Sequence, residues 1–272
     1  MLVLALDTAT PVVTAGLVEL PGSGPAVPLA TRAHDGRKHG ELLVPAVRAL
    51  CAEAGRPLPS VEAIVVGVGP GPFTGLRVGI ATAAALGHAL DVPVHGVCSH
   101  DAIATAWSAS GTRMDAAGSA RGTRMDAVWS ASGTSMDTAG SARGTHVDAA
   151  GSADGTRPGT GNLLVVTDAR RREVYWAAYD PAARRLTGPA VEAPAALAER
   201  LPELAIGTVV GDPAFAGPLG TAVTGPATPA PEALVEVAAG ALRAGRAPAP
   251  VEPLYLRRPD AVEPTGRKRV TA

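Results

Sequence analysis

Two short segments carry the residue types best suited to holding a phosphate or a metal ion. The first is Asp7-Thr8-Ala9-Thr10, which places a carboxylate and two hydroxyl groups directly after the apolar run Leu2–Leu6. Such groups on a tight turn can hold a phosphate or Mg²⁺, but Asp and Thr also cap their own backbone in turns. On the sequence alone, both interpretations of Asp7, Thr8 and Thr10 stay open.

The second segment is rich in glycine and lies between an apolar run and a helical pattern. Four glycines and two prolines fall between Gly67 and Gly75, after the β-branched run Ala63–Val68. Glycine allows a ligand or another chain to approach the backbone closely. No Gly-Lys-Ser or Gly-Lys-Thr follows, and the Gly-x-Gly-x-x-Gly register is missing, which excludes a P-loop and a dinucleotide fingerprint.

The strand, Asp-bearing turn and strand at Asp7 recur in the second half of the chain. Leu163–Thr167 is an apolar run, Asp168 opens a polar turn, and Glu173–Tyr179 reads as the next strand. This duplicated hairpin predicts an α/β fold of the actin and heat-shock ATPase type (ribonuclease H-like), with two lobes that each hold a mixed sheet flanked by helices. In that superfold the paired turns face a cleft and hold nucleotide phosphates with their metal.

The residues of familiar catalytic sites do not form a recognisable set. No two histidines have the His-x-x-x-His spacing of a helical metal site, and no Gly-x-Ser-x-Gly elbow occurs. The two cysteines, Cys51 and Cys98, lie in apolar segments, which fits a reducing cytosol. The 24 basic and 25 acidic side chains nearly cancel, so no overall field attracts nucleic acid or a membrane. The longest apolar stretch, Val78–Leu90, is short for a membrane span.

Two apolar helices are predicted in the first half of the chain. One carries a stripe of Leu43, Val47 and Leu50, and the other begins after the glycine segment. Small residues at four-residue spacing give the second helix a smooth face, which suits close approach of another helix. Such a surface is either a subunit interface or ordinary helix-on-sheet packing. If it is an interface, Gly79→Leu should disrupt association and leave the monomer folded. The small residues are Gly75, Gly79, Ala83 and Gly87.

Residues 107–161 repeat with a period of eleven, marked by Met-Asp pairs such as Met114-Asp115 and Met125-Asp126. The segment is rich in Gly, Ser and Thr and contains no Leu, Ile or Phe, so it cannot offset its ordering entropy by burial. We expect a disordered insertion there, or alternatively a binding array anchored by its two Trp. The predicted organisation is a first lobe at 1–106, the insertion at 107–161 and a smaller second lobe at 162–272.

Taken together, these segments resemble the TsaB (YeaZ) family. The run from Gly69 to Gly79, with Gly-Pro-Gly-x-Phe-Thr-Gly-Leu-Arg, is highly specific for that family. Together the matching stretches span essentially everything outside the insertion. The other matches are Leu4–Thr10, His39–Leu50, Asp168–Tyr175 and Pro253–Pro259.

The resemblance implies a non-catalytic subunit that helps to make threonylcarbamoyladenosine in tRNA. Its expected partners are the catalytic paralogue TsaD, the ATPase TsaE, and a second copy of the chain when it is alone, with tRNA reached indirectly and no membrane. We expect a cytoplasmic location, no intrinsic cofactor, and ATP or ADP at or near the interface with TsaD. The site at Asp7, Thr8, Thr10 and Asp168 would be a vestigial nucleotide site. The resemblance assigns the interface to His39, Leu43, Val47, Leu50, Gly75, Arg77, Val78, Gly79, Ala83 and Leu86.

The catalytic paralogue holds its metal through a His-x-x-x-His pair, and the matching positions here are Ser99 and Ile103. Neither side chain can replace an imidazole, so the resemblance implies no independent transferase activity. Two alternatives stay open. One is an autonomous ATP- or metal-dependent transferase or peptidase that uses Asp7 and Asp168. The other is a homodimer with a proteolytic or regulatory role.

Overall fold

The computed structural model describes residues 1–35, 39–116 and 161–257, which form two lobes around two five-stranded sheets. The first sheet has the order β3-β2-β1-β4-β5. Its central strands β1 and β4 are buried along their whole length and consist largely of Leu, Ile, Val and Ala, as a sheet covered on both faces requires. The strands are β1 (Leu2–Asp7), β2 (Val12–Glu19), β3 (Val27–Asp35), β4 (Ala63–Gly67) and β5 (Val94–Val97).

The register of the first sheet brings the two polar segments together. Strand β1 pairs antiparallel with β2 and parallel with β4, and Leu6 lies beside Val66. Because β1 and β4 run in the same direction, their carboxyl ends meet at one edge of the sheet. Asp7 and the glycine segment that follows Gly67 therefore lie next to each other.

The second sheet repeats this plan, with the order β10-β9-β6-β7-β8. Strand β6 pairs antiparallel with β7 and parallel with β9, which copies the arrangement around β1. The duplicated hairpin predicted from Asp7 and Asp168 is thus confirmed as two mixed sheets of the same plan. The strands are β6 (Asn162–Asp168), β7 (Val174–Tyr179), β8 (Arg185–Glu192), β9 (Ile206–Gly211) and β10 (Val223–Thr224).

Two of the helices cross from the lobe of their own sequence to the other one. Helix α3 supplies Ile103 and Ala104 to the core of the second sheet. Helix α6 covers one face of the first sheet, where Leu234 and Val235 pack with Val3 and other residues of β1, β2 and β4. The helices are α1 (His39–Glu53), α2 (Phe73–Leu90), α3 (Ser99–Ala116), α4 (Pro194–Arg200), α5 (Ala216–Leu219) and α6 (Pro231–Arg243).

Helix α3 extends into the segment that was predicted to be a disordered insertion. It continues to Ala116, so the first ten residues assigned to the insertion are helical. Trp107 packs against the second-lobe core, and its ring lies close to Gly225. This tertiary contact explains why the helix continues into a segment whose composition alone would not hold it. Residues 117–160 lie outside the described part of the chain, and the predicted disorder there stays a prediction.

Helix α2 begins at Phe73, earlier than the apolar stretch indicated, and is 18 residues long. Within the described ranges it is the one helix long and apolar enough to cross a membrane, with a mean hydropathy of 1.2. A single helix of this kind is weak evidence for a membrane span, because core helices of soluble proteins have the same length and composition.

Candidate functional site

Asp7 is completely buried at the end of β1, and protein groups occupy both of its carboxylate oxygens. Oδ1 accepts a hydrogen bond from the Ala9 amide at 2.8 Å. Oδ2 accepts one from the Ser99 hydroxyl at 2.5 Å. The Ser99 oxygen in turn accepts the Gly69 amide at 3.3 Å. The carboxylate therefore joins three segments of the first lobe and presents no oxygen to solvent.

The two threonines of the Asp7 turn, residues 7–10, are also occupied by the chain itself. Thr8 donates to the Gly75 carbonyl at 2.7 Å, and Thr10 donates to the Val12 carbonyl at 2.7 Å. Both are buried. Asp7 and Thr10 thus bond to the backbone of their own turn, whereas Thr8 bonds to the glycine segment.

The glycine segment packs onto the Asp7 turn so closely that side chains would not fit. A Cβ on Gly67 would overlap the Asp7 carboxylate, and one on Gly71 would overlap the Ala9 backbone. A Cβ on Gly79 would overlap the Thr8 hydroxyl. The close backbone approach expected from these glycines is thus real, and the group that approaches is the chain's own Asp7 turn.

Burial raises the pKa of Asp7 from 3.8 to about 6, although the hydrogen bonds from Ser99 and Ala9 oppose the increase. A carboxyl whose pKa is raised by folding stabilises the fold when it is protonated. Its contribution is fully present below pH 3.8 and is lost as the pH rises through 6. The difference between the two pKa values corresponds to about 3 kcal/mol.

We expect the isosteric variant Asp7→Asn to remove this dependence on pH. Between pH 3.5 and pH 7 the parent protein should lose about 3 kcal/mol of its free energy of unfolding through the ionisation of Asp7. The variant should not lose this contribution. Urea unfolding monitored by circular dichroism across that range measures the difference. Two curves that run parallel would show that Asp7 does not titrate with a raised pKa.

Asp168 occupies the equivalent turn of the second lobe in a more open setting. Its side chain is 25% exposed, forms an ion pair with Arg170 at 3.3 Å and accepts the Arg170 amide at 2.7 Å. The adjoining interlobe cleft has a volume of about 440 Å³. The residues that line it are Gly71, Pro72, Phe73, Ala169, Arg170, Arg171, Tyr175, Tyr255, Leu256 and Arg257.

The predicted interface residues divide into an inward and an outward set. Six are buried in their own lobe, so the structure corrects their assignment to a partner contact; Gly79, for example, faces Thr8. They hold α1 and α2 against the sheet. His39 begins α1, and its side chain lies outside the described part of the chain. The inward residues are Leu43, Val47, Leu50, Gly75, Gly79 and Ala83.

Arg77, Val78 and Leu86 retain exposure, and apolar side chains accompany them on the outside of α1 and α2. Leu42 is 38% exposed and Val44 47% exposed. We call the exposed side of α2 the outer face. It is made of Thr74, Val78, Ala81 and Ala85.

Comparison with known proteins shows which proteins the chain is similar to. The family model described as TsaD: tRNA N6-adenosine threonylcarbamoyltransferase matches residues 33–156. Uncharacterised proteins of Mycobacterium tuberculosis and Mycobacterium leprae are each 41% identical, over 95% and 96% of this chain. The chain spans 93% of the first and 56% of the second. The Escherichia coli tRNA threonylcarbamoyladenosine biosynthesis protein TsaB is 35% identical over 122 residues, which is 43% of this chain and 49% of that protein.

A solved structure, YeaZ from Pseudomonas aeruginosa, superposes with a TM-score of 0.60 at 23% identity and covers 93% of this chain and 100% of its own. The chain therefore belongs to the same family as the M. tuberculosis protein, and part of it is similar to TsaB. The expected fold, two actin-like lobes with a mixed sheet in each, is confirmed by this match and by the sheet topology.

In this chain, the two positions that the resemblance matches to the paralogue's metal ligands are used internally. Ser99 donates to Asp7, and Ile103 is buried in the second-lobe core. Sequence reasoning considered Ser99 only as a replaced ligand and missed its bond to Asp7. A polar residue at the first position of a helix was the available signal.

Residues 253–257 also contribute to the site. The sequence analysis used them only as a match to the TsaB family. Leu254 donates its amide to the Val68 carbonyl at 2.8 Å, which fixes the segment to the first lobe. Arg257 then forms an ion pair with Glu173 of the second lobe. The segment therefore links the two lobes at the cleft.

Proposed function

We propose that this chain is a non-catalytic subunit in the synthesis of threonylcarbamoyladenosine in tRNA, and that it binds a TsaD-type catalytic paralogue through the outer face. Similarity to TsaB supports the role in this pathway. The single observation that carries the partner contact is the exposed side of α2, where Thr74, Val78, Ala81 and Ala85 lie opposite the buried glycines of the same helix.

The outer face has the composition of a protein contact. Thr74, Val78, Ala81 and Ala85 follow one another on α2 at three- and four-residue spacing, which puts them on one side of the helix. Small side chains there allow a partner helix to approach closely. The buried glycines on the opposite side of α2 fix this helix to the sheet, so its outer face is rigid.

The internal hydrogen bonds of the Asp7 carboxylate support a non-catalytic role. An enzyme of this superfold would use the carboxylate to hold a metal ion, whereas here Ser99 and Ala9 already occupy its oxygens. A TsaE-type ATPase, a homodimer in the absence of TsaD, and a cytoplasmic location belong to the same proposal. The rival proposal is an autonomous enzyme that uses Asp7.

Co-purification of this chain with TsaD from the same organism, followed by an assay of tRNA modification, tests the proposal. We expect a complex on size-exclusion chromatography and modification that requires both proteins. Separate elution of the two proteins would contradict the partner contact. Metal-dependent turnover by the isolated chain, lost in Asp7→Ala, would favour the rival.

We expect the double variant Ala81→Glu/Ala85→Glu to weaken the complex at least tenfold, because two carboxylates would be buried without partners. Both alanines are exposed in the isolated chain, so the fold should be retained. The matched control is Ala195→Glu/Ala196→Glu, two exposed alanines of α4 in the second lobe. Isothermal titration calorimetry with TsaD measures both. Equal affinity of the Ala81/Ala85 variant and the parent protein would move the contact elsewhere.

A further inference from the structure

A second cavity lies where helix α6 meets strand β5, and no described residue lines both it and the interlobe cleft. We call it the α6 pocket. Its wall includes His95 of β5, Asp101 of α3, Arg185 of β8, Ala238 of α6 and Leu254. Its volume of about 390 Å³ lies within the usual range for small-molecule sites. The pocket is therefore large enough to hold a ligand of its own.

His95 is buried, and its imidazole has no hydrogen-bond partner among the described residues. Side chains alternate along a strand, so His95 points the same way as Val97, which packs in one core cluster with Ala238 of α6. The ring therefore faces α6 and the pocket. Burial lowers the pKa of the imidazole, so at pH 7 the ring is neutral and can both donate and accept a hydrogen bond. Because a buried polar group without a partner is costly, this ring indicates a ligand that supplies the missing hydrogen bond.

Asp101 and Arg185 place opposite charges at the same pocket. The Tyr179 hydroxyl donates to Oδ1 of Asp101 at 2.8 Å and fixes the carboxylate. The Nε of Arg185 lies 3.6 Å from the same oxygen, and the arginine side chain is 36% exposed, so this ion pair is weak. Within the described ranges, Oδ2 of Asp101 and the terminal nitrogens of Arg185 form no hydrogen bond. Each charge can therefore bind a further group of opposite sign.

The other side chains of the pocket that bear on its chemistry are apolar or unreactive. Val237, Ala238 and Leu254 supply apolar surface. Burial, together with the charge of Asp101, raises the pKa of the Cys98 thiol to about 12, so the thiol stays neutral and is a poor nucleophile. The pocket is therefore suited to binding a ligand and not to covalent chemistry at Cys98.

We propose that the α6 pocket binds a small α-amino acid, with its carboxylate on Arg185, its ammonium group on Asp101 and an uncharged polar side chain on His95. A zwitterion matches the two charges of the pocket, whereas Asp101 would repel a simple anion and Arg185 would repel a simple cation. Guanidinium groups bind carboxylates through paired hydrogen bonds. The site goes beyond the proposed function and requires neither TsaD nor the outer face, so the failure of one proposal leaves the other standing.

Isothermal titration calorimetry of the full chain with two pairs of amino acids tests the site. The members of each pair are similar in shape and differ in side-chain polarity: L-threonine with L-valine, and L-glutamine with L-leucine. We expect a polar member to bind at least tenfold more tightly than its apolar partner, because only the polar side chain satisfies His95. It should also bind at least tenfold more tightly than the matching acid without the amino group. No saturable heat from any of the four at millimolar concentration would overturn the proposal, and so would an acid that binds as tightly as the amino acid.

Two pocket variants and one control locate the binding. Arg185→Ala should weaken binding of the amino acid at least tenfold, whereas Arg184→Ala, the neighbouring exposed arginine outside the pocket, should leave it within about twofold. His95→Leu should abolish the preference for the polar member of each pair and leave binding of the apolar member. Thermal midpoints of the variants check that each is folded. Unchanged binding by a folded Arg185→Ala protein would place any bound amino acid elsewhere and overturn the proposal.

Discussion

Gly79→Leu should strongly destabilise the first lobe. The structure puts the Thr8 side chain where the new Cβ would lie, and Thr8 is fixed by its bond to Gly75. Overpacking at such a position costs about 3 kcal/mol or more, which is a large part of a typical folding free energy. The expected result is a large decrease in the midpoint of urea unfolding, with loss of soluble protein at higher temperature.

Ala85→Leu is the matched control, since Ala85 is exposed on the same helix. Its free energy of unfolding should change by about 0.5 kcal/mol or less. The sequence alone predicted that Gly79→Leu would affect only association. A folded Gly79→Leu protein with a normal midpoint would restore that interpretation and would show that Thr8 does not contact α2.

The second large effect concerns His100, which is fully buried at the start of α3. Its Nε2 lies 2.8 Å from the Thr167 hydroxyl, and its Nδ1 has no hydrogen-bond partner among the described residues. Burial, together with the charge of Arg185, lowers the pKa of this imidazole from 6.5 to about 3. The folded protein therefore holds His100 neutral at pH values where the unfolded chain is protonated.

The resulting stability is fully present above pH 6.5 and is lost as the pH falls toward 3. We expect the parent protein to lose about 4 kcal/mol between pH 6.5 and pH 3.5 through this group, and His100→Gln to lack that loss. Urea unfolding at several pH values measures both proteins. If the variant and the parent lose stability equally, His100 is not the group responsible.

The strands were predicted well where both faces of the sheet are covered, because such strands are continuous runs of apolar residues. Leu2–Asp7 and Ala63–Gly67 are central strands with no exposed residue, so their composition follows directly from their position. The repetition of the hairpin at Asp168 was visible for the same reason. The plan of both sheets therefore followed from local pattern and one internal repeat.

The sequence could not show which surface the small residues of α2 face. Four-residue spacing is the same whether a glycine meets a partner helix or a turn of its own chain. Gly79 and Thr8 are far apart in the sequence, and only the register of β1 beside β4 brings them together. Likewise, no local signal shows that α3 and α6 each cover the sheet of the other lobe. The cleft needs three separate segments and is visible only after folding.

The packing of α6 on the sheet of the first lobe has a consequence for folding during synthesis. One face of the first sheet, including Val3, Ala5 and Val65, packs against residues 233–242. A ribosome delivers that helix more than 200 residues after β1, so the sheet stays uncovered on one side for most of translation. The first lobe therefore cannot complete its core before the second lobe has been made, and a chain released early would expose apolar strands to aggregation.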